Sequence, residues 1–303
     1  MVSGAIASCC GTFAWADADN VLVYDAASGN RAGSWLVNVH SGARRYLAPH
    51  FGPPSPAGLV AVSRPDVGQT DILRLDGTVV ATLPNGGTTT WISPNGSRVA
   101  WLQRESQHTA SSLLARPVQL WTAGIDGSGA HPVIELLASD LNWLPDNQRV
   151  LLLGRRLDGS DPGVWTIDVT TGSVAVLAAA PFPQALHLAP DGQSFAFLAT
   201  FSGHADQDGV WVVSIDGGRR VHLPGVGGVR WASDSSSLWQ HQTGTGSEPD
   251  TLVRLDAASG RELRRVRLGA QVRTDVWAIS PGGDAVVYWR DADGAVVVEP
   301  LPR

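Results

Sequence analysis

One local pattern recurs along this 303-residue chain and limits what it can fold into. A short apolar strand runs into a Pro-Asx-Gly-like turn, and a second apolar strand follows at once. The clearest copies are Ile92-Ser93-Pro94-Asn95-Gly96 before Val99-Ala100-Trp101-Leu102, and Leu188-Ala189-Pro190-Asp191-Gly192 before Phe195-Ala196-Phe197-Leu198. Leu144-Pro145-Asp146-Asn147 and Ile279-Ser280-Pro281-Gly282-Gly283 are close variants, and weaker ones sit at Ser55-Pro56-Ala57-Gly58, Ala232-Ser233-Asp234-Ser235 and Ala18-Asp19-Asn20. Proline presets one turn dihedral, and Gly, Asn or Asp tolerates the left-handed conformation that reverses the chain. Each copy therefore predicts a hairpin, and the proline-equivalent positions 18, 56, 94, 145, 190, 233 and 281 are spaced by 38 to 51 residues.

A second pattern follows each hairpin: a strand that ends in an Asp-Gly or Asp-x-x-x-Gly turn, then a fourth strand. Leu120-Trp121 before Asp126-Gly127, Val164-Trp165 before Asp168 and Gly172, and Val210-Trp211 before Asp216-Gly217 are examples. Four short antiparallel strands per repeat at this period are the signature of a propeller blade. The expected fold is all-β, one seven-bladed β-propeller over residues 1–303, with six or eight blades also compatible. Blades are expected to start near 11, 52, 90, 141, 185, 228 and 275. The last repeat stops after Val296-Val297-Val298, one strand short, so the N-terminal run Val2–Ser8 is expected to close the ring.

The turn followed by a strand such as Val99-Ala100-Trp101 resembles the TolB-like or PD40 repeat family, a WD40-like group, and the resemblance covers nearly the whole chain. It implies the propeller fold. Members of that family serve as envelope adaptors, gating domains and free-standing proteins, so the resemblance implies little about activity. TolB itself carries a separate α/β domain and the peptidase relatives a hydrolase domain, and neither is expected within these 303 residues. No Trp-Asp dipeptide occurs, which argues against WD40 repeats proper.

Composition excludes several functions. All 22 basic residues are arginine against 28 acidic ones, giving a net charge of −6, so nucleic acid is not an expected partner. With no lysine there is no Schiff-base or P-loop chemistry. Cys9 and Cys10, the only cysteines, form neither a disulfide framework nor a zinc motif. No apolar run reaches the ~20 residues of a membrane span. Ile6-Ala7-Ser8-Cys9 resembles a lipoprotein cleavage box and points to the cell envelope, but no basic segment precedes it, so a cytoplasmic location is the alternative.

Catalytic signals are sparse. No Gly-x-Ser-x-Gly elbow is present, and His40, His50, His108, His131, His187, His204, His222 and His241 form no local metal motif. His187 falls on an inner strand, where a propeller gathers residues from several blades. Asp17-Ala18-Asp19-Asn20 and Asp291-Ala292-Asp293-Gly294 look like half a calcium loop, but the completing glutamate is absent and they read as ordinary β-turns. Trp15, Trp91, Trp143, Trp231 and Trp277 lie near inner strands and are expected to pack between blades, with stacking on a sugar or peptide the sharper alternative. Arg261–Arg267 reads as a solvated outer strand rather than a docking patch. The expectation is a non-enzymatic, monomeric binding or scaffold protein without catalytic residues, metal or cofactor. It would take a protein partner or small ligand at one propeller face. The alternative is a metal-dependent lyase or hydrolase acting at the central channel.

Overall fold

A computed structural model describes residues 13–25, 33–48, 50–104, 117–159, 161–180, 183–200, 202–204, 206–223, 225 and 227–302. Cys9, Cys10, the Ile6–Cys9 box and the proposed closing strand Val2–Ser8 lie outside them. The described residues are all-β, with no helix.

The strands follow the repeat in chain order. The first sheet is β1 (Phe13–Trp15), β2 (Asn20–Asp25), β3 (Gly33–Asn38) and β4 (Arg44–Ala48). After the short β5 (His50–Phe51) come β6 (Leu59–Arg64), β7 (Gln69–Arg74) and β8 (Val79–Leu83), and then β9 (Thr90–Ile92), β10 (Arg98–Arg104), β11 (Val118–Gly124) and β12 (His131–Trp143). β13 (Arg149–Arg155), β14 (Gly163–Asp168) and β15 (Val174–Ala179) extend from β12, and β16 (Pro183–Leu188), β17 (Ser194–Ala199), β18 (Gly209–Ser214) and β19 (Arg220–Leu223) form the next sheet. The chain ends with β20 (Val229–Trp231), β21 (Ser237–Gln242), β22 (Thr251–Asp256) and β23 (Glu262–Arg267), then β24 (Val272–Ile279), β25 (Ala285–Arg290) and β26 (Val296–Pro300). Neighbouring strands within each sheet are antiparallel.

Two compact units emerge. One holds both chain ends, up to Phe51 and from Gly227 onward; the other is Gly52–Val226. In the second unit sheets stack face on face. β6–β8 packs on β9–β12 through Ala61, Ile72, Val99 and Trp101. β9–β12 packs on β12–β15 through Leu120, Leu141, Leu152 and Trp165, and β12–β15 on β16–β19 through Leu151, Leu153, Phe195 and Phe197. In the first unit β20–β23 packs on β24–β26 through Trp239, Trp277, Val286 and Tyr288. The chain's first and last sheets also meet there: Val21 and Val23 pack on Val287 and Trp289, and Phe13 stands edge-on to Trp289 with centroids 5.3 Å apart.

Because a middle strand is covered on both faces, it reads as a continuous apolar run instead of alternating. Val150 through Leu153 are all buried, as are Leu59 through Ser63. Outer strands carry the exposed residues, as in β8 and β23. Each fully buried Val or Leu contributes ~1.5–3 kcal/mol, so the middle strands carry most of the hydrophobic stabilisation.

The recurrent turn closes as its residues require. The fourth residue returns its N–H to the carbonyl of the first, as in Gly96 to Ser93, Asn147 to Leu144, Gly192 to Ala189, Ser235 to Ala232 and Gly283 to Ser280. That fourth residue is left-handed in each copy, with φ of 72°, 58°, 68°, 58° and 71°. Glycine takes this conformation freely, whereas Asn147 and Ser235 hold it at a cost of ~1 kcal/mol.

One junction departs from the repeat. β12 is a single 13-residue strand that serves as the outer strand of one sheet and the inner strand of the next, with a register shift between Ala138 and Asp140. The sequence pattern there reads as two strands, Val133–Leu136 and one before Pro145. No glycine or proline separates them, and the chain passes from one sheet to the other within a single strand.

A buried polar cluster braces the first unit. Asp250, fully buried, lies 2.7 Å from His241 Nε2 through Oδ2, and the same oxygen accepts the Val272 N–H at 2.8 Å. Its Oδ1 accepts the Gly244 N–H at 2.8 Å, and the His241 ring faces Trp277 at 6.3 Å. One carboxylate thus ties β21, the following loop and β24 together. Asp250→Ala is expected to strand these donors and lower unfolding stability by about 3 kcal/mol; urea denaturation measures it, and a change within experimental error would refute the bracing role.

Candidate functional site

The inner-strand tryptophans lie between sheets. Trp143 Nε1 donates to the Trp91 carbonyl at 3.0 Å, joining β12 to β9 across a sheet interface. Trp15 Nε1 does the same to the Ala278 carbonyl at 3.2 Å, joining β1 to β24. Trp277 is buried, with the Arg230 guanidinium 5.0 Å from its ring centroid, and Trp231 is also buried. An indole is wide enough to span the gap between stacked sheets, and its single N–H finds the neighbouring backbone, so these residues pack the interior.

The acidic turns are closed on themselves. Asp17 Oδ1 accepts from the N–H groups of Asp19 and Asn20 and from the Asn20 amide, and Asp19 meets His40 Nε2 at 3.1 Å. Asp293 takes a two-pronged contact from Arg290 at 2.8 and 2.7 Å and the Ala295 N–H. Elsewhere the Asp-Gly turns use the same chemistry. Hydrogen bonds from Ser128 to Asp126, from Thr171 to Asp168 and from Ser259 to Asp256 hold these carboxyls below the usual carboxylate range. β23 alternates exposed and half-buried residues, and Arg265 pairs with Glu262 at 2.8 Å and with the Gln242 amide oxygen at 2.9 Å, as a solvated edge does.

A carboxyl that the sequence analysis did not single out occupies an inner strand. Asp140 sits at the register shift of β12 and accepts the backbone N–H groups of Leu141, at 2.9 Å, and Leu186. On β16 the ladder also shifts between Gln184 and His187, and Ala185 there adopts a left-handed φ of 51°. Leu186, left out of that ladder, gives its N–H to Asp140. Burial pushes the Asp140 carboxyl up to about 6, the two N–H bonds offsetting only part of the desolvation. His187 follows on β16, half-buried and opposite Ala196. A lone carboxyl inside the run Leu136-Leu137-Ala138-Ser139-Asp140-Leu141 was the available signal.

Two grooves open where a third-strand tryptophan meets the neighbouring sheet. In both, that tryptophan pairs across strands with an aromatic of the second strand: Trp101 with Trp121, and Phe197 with Trp211. The first groove, of about 240 Å³, has Trp101, Trp121 and Gln103 as its floor. Leu83, Pro84 and Asn85 form one wall, Gly127 and Ala130 the other. The two indoles stack at 5.9 Å and 15°. The second groove, of about 260 Å³, opens between Ala178–Ala180 and Trp211. There Trp211 Nε1 donates to the Gln207 carbonyl at 2.9 Å, the ring stacks on His222 at 4.7 Å, and Arg220 donates to the Leu177 carbonyl. At the equivalent pair Leu152–Trp165 the tryptophan is buried in the core.

Comparison with solved structures defines the class. The chain is similar to an oligogalacturonate lyase in complex with manganese, at 12% identity and a TM-score of 0.72 over 96% of this chain and 88% of that one. It is similar to the oligogalacturonate lyase of Vibrio parahaemolyticus, at 12% identity and 0.70 over 97% and 91%. TolB from Acinetobacter baumannii matches at 14% identity and 0.51, over 96% and 76%. Such identities carry the fold alone, and with the antiparallel four-stranded sheets they make this chain a β-propeller. No family model and no curated protein matches its sequence.

The lyase is described with manganese; among the described residues of this chain no three His, Cys, Asp or Glu side chains gather where they could share a metal ion. No helix among them is long and apolar enough to cross a membrane.

Asp140 makes a test of its environment possible. Its folded-state pKa lies above the unfolded value, so it contributes stability below about pH 4 that is lost as pH rises through about 6. Two pH units correspond to at most ~3 kcal/mol. Asp140→Asn, which keeps an acceptor oxygen, is expected to be the more stable form at neutral pH, with the advantage over the parent vanishing near pH 4. Paired urea titrations across that range measure the difference, and parallel curves would contradict the buried placement.

Proposed function

We propose that this chain is a non-enzymatic binding propeller, one domain of seven blades, that takes a small ligand or protein partner on its surface. One observation carries this reading. The carboxylates of the described hairpins, among them Asp126, Asp168, Asp216, Asp256 and Asp293, are engaged by their own turns. The side chains lining the Trp101–Trp121 groove include an amide and indoles that have no hydrogen-bond partner among the described residues. A catalytic centre needs convergent ionisable groups with tuned protonation, whereas a recognition surface needs aromatic area and uncommitted polar groups.

The second reading is a propeller enzyme acting on an acidic polysaccharide. Its support is Asp140, a carboxyl raised to about 6 on an inner strand, together with the fold shared with the lyases. Fold alone is weak support for activity. Incubating the purified chain with oligogalacturonate, with and without added manganese, separates the two. Unchanged oligomer length by chromatography is the expected result; shortened products, abolished by Asp140→Asn, would replace the binding reading with the enzymatic one.

A further inference from the structure

We propose that the groove floored by Trp101, Trp121 and Gln103 binds one ring of a neutral carbohydrate. The proposal deepens the binding reading above and rests on it.

The floor supplies what a sugar ring needs. Trp121, partly exposed to the groove and stacked on the buried Trp101 at 5.9 Å, supplies an aromatic surface held in place from behind. The C–H face of a pyranose packs on such a surface, while its hydroxyls require donors and acceptors around the rim. The Gln103 amide and the two indole N–H groups are available: none has a hydrogen-bond partner among the described residues. Gln103 can donate and accept, which suits a hydroxyl.

Charge and size narrow the ligand. Among the described residues no ionisable side chain lines the groove, so a uronate or phosphate group would be desolvated without a counter-charge. A volume of about 240 Å³ suits one six-membered ring with its hydroxyls and is small for a drug-sized ligand. The second groove differs in the property that matters, because its indole N–H and its arginine already bond to backbone carbonyls.

The site is also held in place. Asn85, buried in one wall, accepts from the Thr70 hydroxyl at 2.8 Å and the Gly87 N–H at 3.2 Å, and donates to the Thr90 hydroxyl at 2.8 Å. That network fixes the loop between β8 and β9 against both sheets. Gly86, left-handed at φ 75°, stands beside Gln103, where a Cβ would come within 3.4 Å of the amide nitrogen. A rigid wall and a bare backbone leave the amide free to turn toward a ligand.

The test uses the full chain and saturation-transfer NMR followed by calorimetry. The probes are methyl glycosides of glucose, galactose, mannose and N-acetylglucosamine and their neutral trisaccharides, with trigalacturonate as the charged comparison. At least one neutral probe is expected to bind with a Kd on the order of 1 mM. Gln103→Ala is expected to weaken it about tenfold, and Trp121→Phe, which keeps an aromatic ring and removes the N–H, about threefold. Circular dichroism and the thermal midpoint should stay as in the parent. Absence of binding by every neutral probe overturns the proposal; if trigalacturonate or a protein ligand still binds, the binding reading survives. Neutral-sugar binding that both variants leave intact overturns the groove and keeps the binding reading. Cleavage of trigalacturonate would remove that reading itself.

Discussion

Covering both faces of each middle strand is the constraint on which the rest of this structure depends. A four-stranded sheet with an apolar surface on each side cannot stand alone in water, so it must lie between neighbours. The packing of Ala61 and Val99, of Leu152 and Leu120, and of Val286 and Trp277 meets that requirement within each unit. The same rule brings the chain's first and last sheets together through Val21, Val23, Val287 and Trp289. Burial of a shared apolar face joins the two ends there, with the Trp15 N–H bond to Ala278 adding direction to a contact that hydrophobicity alone would leave loose.

That economy shapes the polar groups as well. Short strands demand many tight turns, and a tight turn asks for an acceptor that can satisfy the N–H groups two and three residues on. Aspartate does this at Asp168 and Asp256, which puts much of the acidic content into architecture. The buried Asp250–His241 pair is a further case, an ionisable couple that looks like chemistry in isolation and works as a brace in context. What remains for recognition is found where the packing of sheets is incomplete. A tryptophan on the third strand closes its interface at Trp165 and leaves a groove at Trp121 and Trp211. The small residues Ala178, Ala179 and Ala180 facing Trp211 leave space there that a larger side chain would fill.

Asp140 marks where the repeat is irregular. The chain crosses from one sheet to the next inside a single strand, and the carboxyl receives the N–H of Leu141, beside the shift, and that of Leu186, which the β16 ladder leaves out. A carboxyl at such a place stabilises an irregular junction even as burial raises its proton affinity. The same geometry is therefore compatible with a purely structural duty, and activity on an acidic substrate is what separates the two.

The sequence by itself determined the class of fold and the place of the hairpins. Those depend on local rules: proline and glycine dihedrals at Pro94 and Gly96, Asp capping at Asp168, and apolar runs such as Val150–Leu153 that only a doubly covered strand can hide. It also anticipated that Trp15, Trp91 and Trp143 lie between sheets, because an indole near an inner strand has few other places to go. Only the tertiary structure decided that Gln103 stands beside Gly86 in one groove with a pair of stacked indoles, that His241 meets Asp250, and that Asp140 receives the N–H of Leu186. Those relations join residues on different strands or sheets, and their geometry follows from register and stacking rather than from any local pattern. A one-residue change in pairing turns a side chain to the opposite face, so residues such as Gln103 carry no signal until the ladder is drawn.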